Sequence, residues 1–123
     1  MLISLDYAGD IPIYQQLRNQ IVLGIASGDL KAGEKLPTIR ALATELGINM
    51  MTVSKAYQIL KQEGYISSDR RSGAWVSCKA GKNGTLEKLE KELKLIVAEA
   101  RLSGVEEEAL VELCRKFYHE GDV

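Results

Sequence analysis

Gly33-Glu34-Lys35-Leu36-Pro37-Thr38-Ile39-Arg40-Ala41-Leu42-Ala43 opens the stretch that decides how this chain folds. It runs on through Leu46-Gly47-Ile48-Asn49 to Thr52-Val53-Ser54-Lys55-Ala56-Tyr57-Gln58-Ile59-Leu60, then Glu63-Gly64-Tyr65-Ile66, and closes on Arg70-Arg71-Ser72-Gly73-Ala74-Trp75-Val76. Ile39, Leu42, Ala43 and Leu46 fall at i, i+3, i+4 and i+7, one apolar face of a helix. Val53, Ala56, Tyr57 and Leu60 repeat those offsets. Between the two helices Gly47 suits a left-handed C-cap and Asn49 the N-cap of the next helix, which should begin near Met50. Helices joined by so short a turn cross steeply, as in DNA-binding helix pairs. Gly64 ends the second helix. Tyr65 to Ser67 and Ala74 to Ser77 are expected to pair as strands around a turn containing Asp69 to Gly73. The parts are those of a winged helix-turn-helix.

The stretch resembles the GntR family of bacterial transcription regulators. The family pattern reads G-x-x-L-P-[ST]-x-R-x-L-A, L-G-[VI]-[NS], T-V-x-[KR]-A-[YL]-x-x-L, E-G-[LY]-I, then a basic glycine wing. It is met here by Gly33, Leu36, Pro37, Thr38, Arg40, Leu42, Ala43, Leu46, Gly47, Ile48, Asn49, Thr52, Val53, Lys55, Ala56, Tyr57, Leu60, Glu63, Gly64 and Ile66. Further upstream, Pro12, Ile13, Tyr14, Gln16 and Leu17 fit the P-I-Y-x-Q-[LI] opening that resembles the YtrA-like branch.

The bulk numbers bound the reading without deciding it. A length of 123 residues allows one domain, or a small domain with an appendage. Hydrophobic residues at 46% and charged residues at 27% are ordinary globular values, so disorder is not indicated. No apolar run approaches a membrane span. Met1-Leu2-Ile3-Ser4-Leu5-Asp6 lacks a basic n-region and a cleavage site, so a signal peptide is not expected and the cytoplasm is the default. Cys78 and Cys114 read as reduced and structural in such a chain. His119 is the single histidine, and no His/Cys set has metal-ligand spacing. With no nucleophile–base pairing, phosphate loop or metal cluster, neither an enzyme nor a cofactor is expected.

Net charge is −1, which weighs against a non-specific nucleic-acid binder. Residues 1–78 carry eight Lys or Arg against seven Asp or Glu, and residues 79–123 eight against ten. The cations are placed locally instead, at Arg40, Lys55, Arg70 and Arg71. Modest affinity per domain, with reliance on two copies, follows.

Taken in order, residues 1–10 read as an arm or a short strand. Asp10-Ile11-Pro12 opens a first helix with Pro12 at the first helical position. Ile13, Leu17, Ile21 and Ile25 give it a core-facing side flanked by Tyr14 and Val22. With Pro37 near the start of the second helix, Arg40 falls about one turn inside, where its fork can reach a phosphate or a base edge. A solvated arginine paired with Glu45 or Glu34 is the blander reading. On the third helix the apolar face leaves Met51, Thr52, Ser54, Lys55 and Gln58 outward, and the N-terminal part of such a helix enters the major groove. Hydroxyls of Thr52 and Ser54 can hold phosphates or base edges, Asn49 belongs to the same DNA-facing set, and the helix amides add phosphate binding, with Lys55 meeting phosphate more readily than base. Arg70, Arg71 and Gly73 form a hairpin tip suited to a minor groove or the DNA backbone. A solvated turn beside Asp69 is the alternative. Trp75 reads as a packing residue. Two departures from the family pattern stand out. The wing keeps only the second of the family's two glycines. Met50-Met51 replaces residues able to make bidentate hydrogen bonds to guanine. Packing on thymine methyls and simple exposure on the helix are both open for these methionines.

Lys79 to Gly84 reads as a linker. Thr85 then caps a helix whose Leu86, Leu89, Leu93, Ile96 and Ala100 step by three and four, with Val97 beside them, a heptad seam. Ser103-Gly104 breaks it. In a last helix Leu110, Leu113, Cys114 and Phe117 form the apolar side, with acidic Glu106 to Glu108 at its start and Arg115-Lys116 at its end. Two such helices cannot enclose a core, so their stripes need a partner, and a second subunit fits best. The YtrA-like resemblance implies the same: a short helical pair used for dimerisation.

The fold expected is therefore mostly α with a small β-hairpin. It comprises a winged helix-turn-helix domain (1–78), a linker (79–84) and a two-helix dimerisation element (85–123). The function expected is a homodimeric, sequence-specific bacterial transcription regulator that binds an inverted-repeat operator in double-stranded DNA, as a repressor. The competing class is a winged-helix protein–protein module that no longer reads DNA, supported by Met50-Met51 and the near-zero charge. A small-molecule effector could bind near Cys114, Phe117 and Tyr118, although these read first as dimer core. The resemblance implies control of a nearby operon, often one encoding an ATP-driven transporter.

Overall fold

The computed structural model describes residues 3–77 and 85–120. The expected linker 79–84, Cys78 and the capping side chain of Thr85 lie outside them. The described residues form helices α1 (Ile13–Ser27), α2 (Ile39–Leu46) and α3 (Met50–Glu63), strands β1 (Ile66–Asp69) and β2 (Gly73–Val76), and helices α4 (Thr85–Leu102) and α5 (Glu107–Tyr118). They divide into two compact units, Met1–Ala80 and Gly81–Val123.

In the first unit one core collects the stripes anticipated above. Leu17 and Ile21 of α1, Leu42 and Ala43 of α2, and Val53, Ala56, Tyr57 and Leu60 of α3 are buried, closed by Leu30, Leu36, Ile66 and Val76. The α2–α3 turn is fixed by backbone chemistry. Gly47 adopts φ +68, and the following Ile48 N–H donates back to the Ala43 carbonyl at 3.0 Å. Asn49 Oδ1 accepts the Met51 N–H at 2.7 Å, satisfying one orphan donor at the head of α3. A bidentate pair between Arg18 and Glu63, both N···O distances 2.9 Å, clasps α1 to the end of α3, with the guanidinium 5.7 Å from the Tyr65 ring centroid.

Three local expectations are corrected, and one of the two readings of the N-terminal segment is decided. Pro12 is the N-cap of α1 rather than its first residue, because its ψ of 146° is extended while its carbonyl already accepts the Gln16 N–H. Thr38, the residue after Pro37, is the N-cap of α2. Its hydroxyl accepts the Ala41 N–H at 3.0 Å, so Arg40 lies in the first turn rather than a turn inside. The hairpin strands reach further toward the tip than expected: Asp69 pairs with Gly73, leaving Arg70-Arg71-Ser72 as the loop. The Asp69 carboxylate accepts the Ser72 N–H and closes that loop. Residues 3–9 form no strand. They are an arm held by two glutamines of α1. Gln16 bonds both the N–H and the carbonyl of Asp6, and Gln20 does the same for Ser4.

The sheet has an edge that sequence reading did not anticipate. The Gly33 N–H donates to the Val76 carbonyl, the Val76 N–H to Glu34 and the Leu36 N–H to Ala74, each at 2.9 Å. Lys35 thereby bridges Trp75, and β2 is flanked on both sides. This pins the hairpin to the segment that leads into α2.

In the second unit the heptad residues of α4 lie open: Leu86 is 76% exposed, Leu89 and Leu93 51% each, and Ile96 54%. Val97, Leu113 and Phe117 are exposed as well, while Ala100 and Leu110 are half-buried. Gly104, at φ +82, ends the α4 segment as expected.

Candidate nucleic-acid interface

Three elements of the first unit converge on one open cleft of about 580 Å³. The start of α2 supplies Thr38 and Arg40, the outer face of α3 supplies Ser54, Gln58 and Lys61, and the hairpin supplies Ser68, Asp69 and Gly73. The floor is made by Tyr57, whose hydroxyl donates to the Pro37 carbonyl at 2.7 Å. That bond ties the mouth of α2 to the middle of α3 and so sets where Arg40 stands. Burial pushes the Tyr57 hydroxyl up to about 12, so it remains a neutral donor at physiological pH.

Of the residues singled out from the sequence, Arg40, Ser54, Gln58 and Gly73 line this cleft together. Arg40 is exposed, and the ion pairs suggested with Glu34 or Glu45 do not form: Glu34 instead accepts the Lys31 N–H at 3.2 Å. Arg70 and Arg71 are exposed in the hairpin loop beside it. Asn49, Met51 and Thr52 occupy the head of α3, with Met51 78% exposed and Thr52 half-buried. Lys55 stands apart. Its Nζ lies 4.0 Å from the centroid of the Tyr14 ring, a cation–π contact that orients it toward the start of α1.

Lys61 is a cleft cation that sequence reading missed, and Thr38, Ser68 and Asp69 line the cleft without having been assigned to the site. Ser54, Gln58 and Lys61 stand at i, i+4 and i+7, the polar counterpart of the apolar stripe, and that spacing was the available signal. By its spacing Tyr14 reads as a core-flanking residue, and nothing in that spacing points to Lys55. Among the described residues no His, Cys, Asp and Glu cluster is placed to hold a metal ion, and no helix is long and apolar enough to cross a membrane.

Comparison with known proteins bears on the same region. Residues 12–76 match the model of the bacterial regulatory proteins of the gntR family. The HTH-type transcriptional repressor YtrA of Bacillus subtilis is 37% identical over 114 residues, covering 90% of this chain and 88% of that protein. A crystal structure described as a transcriptional antiterminator from Listeria monocytogenes superposes with a TM-score of 0.86 at 28% identity, over 95% of this chain and 90% of its own. The AraR DNA-binding domain, solved in complex with operator ORX1, gives a TM-score of 0.56 at 25% identity over 61% of this chain and 96% of its own. The match spans the cleft-forming helices and the hairpin alike, and the relatives are regulators of transcription: this chain belongs to the GntR family of bacterial regulatory proteins.

Proposed function

We propose that this protein is a homodimeric repressor that binds an inverted-repeat operator in double-stranded DNA. The observation that carries the reading is the convergence of Arg40, the polar stripe of α3 and the hairpin around one cleft. A phosphodiester strand crossing that cleft would meet the cations Arg40 and Lys61 and a hydroxyl from each element, Thr38, Ser54 and Ser68, while the head of α3 faces base edges and Arg70 and Arg71 flank the backbone. The DNA-facing set proposed is Arg40, Asn49, Met51, Thr52, Ser54, Lys55, Gln58, Arg70, Arg71 and Gly73, with Lys61 added; of these Lys55 sits over Tyr14, apart from the cleft, and would meet the backbone from the side of α1. The operator complex of AraR and the repressor role in the name of YtrA support the assignment.

The second copy is supported by α4. Leu86, Leu89, Leu93 and Ile96 are all more than half exposed. Covering these eight side chains of two copies, at roughly 1–2 kcal/mol each for the exposed parts, offsets an association cost of about 4–15 kcal/mol. The dimer in turn compensates for a near-neutral reading domain, because the second domain binds at high effective concentration.

Sedimentation equilibrium on the full chain, alone and with a duplex selected by the protein, tests the proposal. Two chains in both states, with one duplex per pair, are expected. A monomer that binds duplex one to one would refute the dimer, and transcription from a promoter carrying the site should fall when the protein is added.

A further inference from the structure

The head of α3 presents an apolar group where a reader of DNA is usually polar. Met51 is the second residue of the helix and 78% exposed; Met50 beside it is 45% exposed. The polar groups around them have other engagements. Asn49 Oδ1 accepts the Met51 N–H at 2.7 Å, so its carbonyl side is held against the helix and its NH2 group is what it can turn outward. An NH2 group that only donates selects little in the major groove, since N7 of both purines, O6 of guanine and O4 of thymine all accept. Lys55 is drawn over the Tyr14 ring, with Nζ 4.0 Å from the centroid. Thr52 is half-buried, and Ser54 and Gln58 line the cleft that opens toward the hairpin. At the leading turn the side chain best placed to meet a base edge is therefore a thioether. Its partner in the major groove must be apolar, and the thymine C5-methyl is the apolar group that the four standard bases offer there.

We infer that Met51 is a specificity-determining residue that recognises a thymine by packing on its C5-methyl group. The inference rests on the operator-reading function proposed above. Met51 suits the task because its unbranched chain adapts to the methyl, and the Asn49 cap holds the first turn of α3 in place beneath it. Bidentate selection of guanine is absent from this position, and the half-site carries a thymine there instead.

The test removes the methyl and nothing else. The full chain selects its preferred duplex from a random-sequence library, and each thymine of that duplex is then replaced singly by deoxyuridine. Binding is followed by fluorescence anisotropy for the wild type, Met51→Ala and Met51→Leu. One thymine in each half-site should lose about fourfold in affinity on replacement, the worth of one buried methyl-sized group. Met51→Ala should bind the thymine and deoxyuridine duplexes equally, whereas Met51→Leu should keep the discrimination. Selected duplexes that lose less than twofold at every thymine would overturn the inference and leave operator reading intact. So would a loss that Met51→Ala retains in full, since another side chain would then hold the methyl. Selection that enriches no sequence would refute operator reading itself, and the role of Met51 with it.

Discussion

Replacing Tyr57 by Phe removes one oxygen atom from the joint between α2 and α3, and the structure gives its effect a sign that changes with pH. The Tyr57 hydroxyl donates to the Pro37 carbonyl at 2.7 Å, and the residue is 7% exposed. At pH 8 the variant loses a neutral hydrogen bond, worth about 1 kcal/mol. The Pro37 carbonyl is only half-buried and can bind water instead, which keeps the loss near that figure. Burial holds the native hydroxyl at about 12 against an ordinary value of 10.0. The raised value means that the contribution of Tyr57 is fully present below pH 10 and is lost as pH rises from about 10 through about 12, because the unfolded chain ionises first. The full swing for two pH units would be about 2.7 kcal/mol. The ring borders the open cleft, so solvent screening reduces this to about 1–2 kcal/mol. The wild type should therefore exceed Tyr57→Phe by about 1 kcal/mol at pH 8, and the difference should vanish or reverse near pH 12. Urea unfolding of both proteins at intervals from pH 8 to 12 reads it directly, and taking the difference cancels the lysines and other tyrosines. A difference that stays constant to pH 12 would refute the buried, neutral hydroxyl; no difference at pH 8 would refute the tie to Pro37.

The remaining predictions concern the interface, the turn and the seam. Arg70→Ala with Arg71→Ala should weaken every duplex alike and make the slope of log affinity against log salt shallower by about 2, as expected for two lost phosphate contacts; an unchanged slope would show that the hairpin loop does not touch the backbone. Arg40→Ala should cost about 1–3 kcal/mol on the selected duplex if the guanidinium reaches a base edge, with a relaxed preference at one position, read by a second round of selection. Gly47→Ala places a side chain at φ +68 in otherwise open space, so the cost is conformational, about 1 kcal/mol by chemical denaturation, with no repacking of the core. Leu93→Glu should halve the mass in solution while leaving the circular dichroism of the first unit's helices unchanged; a persistent dimer would mean that the seam is not the contact.

What could be read from the sequence was what repeats within a few residues. The stripes Ile39-Leu42-Ala43-Leu46 and Val53-Ala56-Tyr57-Leu60 gave α2 and α3, and Gly47 and Gly64 marked their ends, because only short-range geometry was needed. Boundaries moved where a single side chain took over a backbone role: the Thr38 hydroxyl moved the start of α2, and the Asp69 carboxylate shortened the hairpin loop. Pairings distant in the chain carried no periodic signal. The edge made by residues 33–36 on β2, the arm held by Gln16 and Gln20, and Lys55 over Tyr14 each join segments whose spacing says nothing of the partner. Arg40, Ser54, Gln58 and Gly73 each stand out singly in the sequence, and their gathering around a common cleft with Lys61 depends on the Tyr57–Pro37 joint. The exposed seam of α4 was legible as a heptad, since a stripe without a covering partner looks the same in sequence as one already covered.

Everything proposed for this chain rests on its reading a particular DNA sequence as a pair. Fluorescence anisotropy against the DNA upstream of its own gene, with a scrambled duplex of equal composition and a salt titration of both, tests it most directly. Tight binding to the native fragment at two chains per site is expected, with the scrambled duplex bound far more weakly and lost first as salt rises. Equal affinity for the two duplexes across the titration, or no binding to either at low salt, would contradict it.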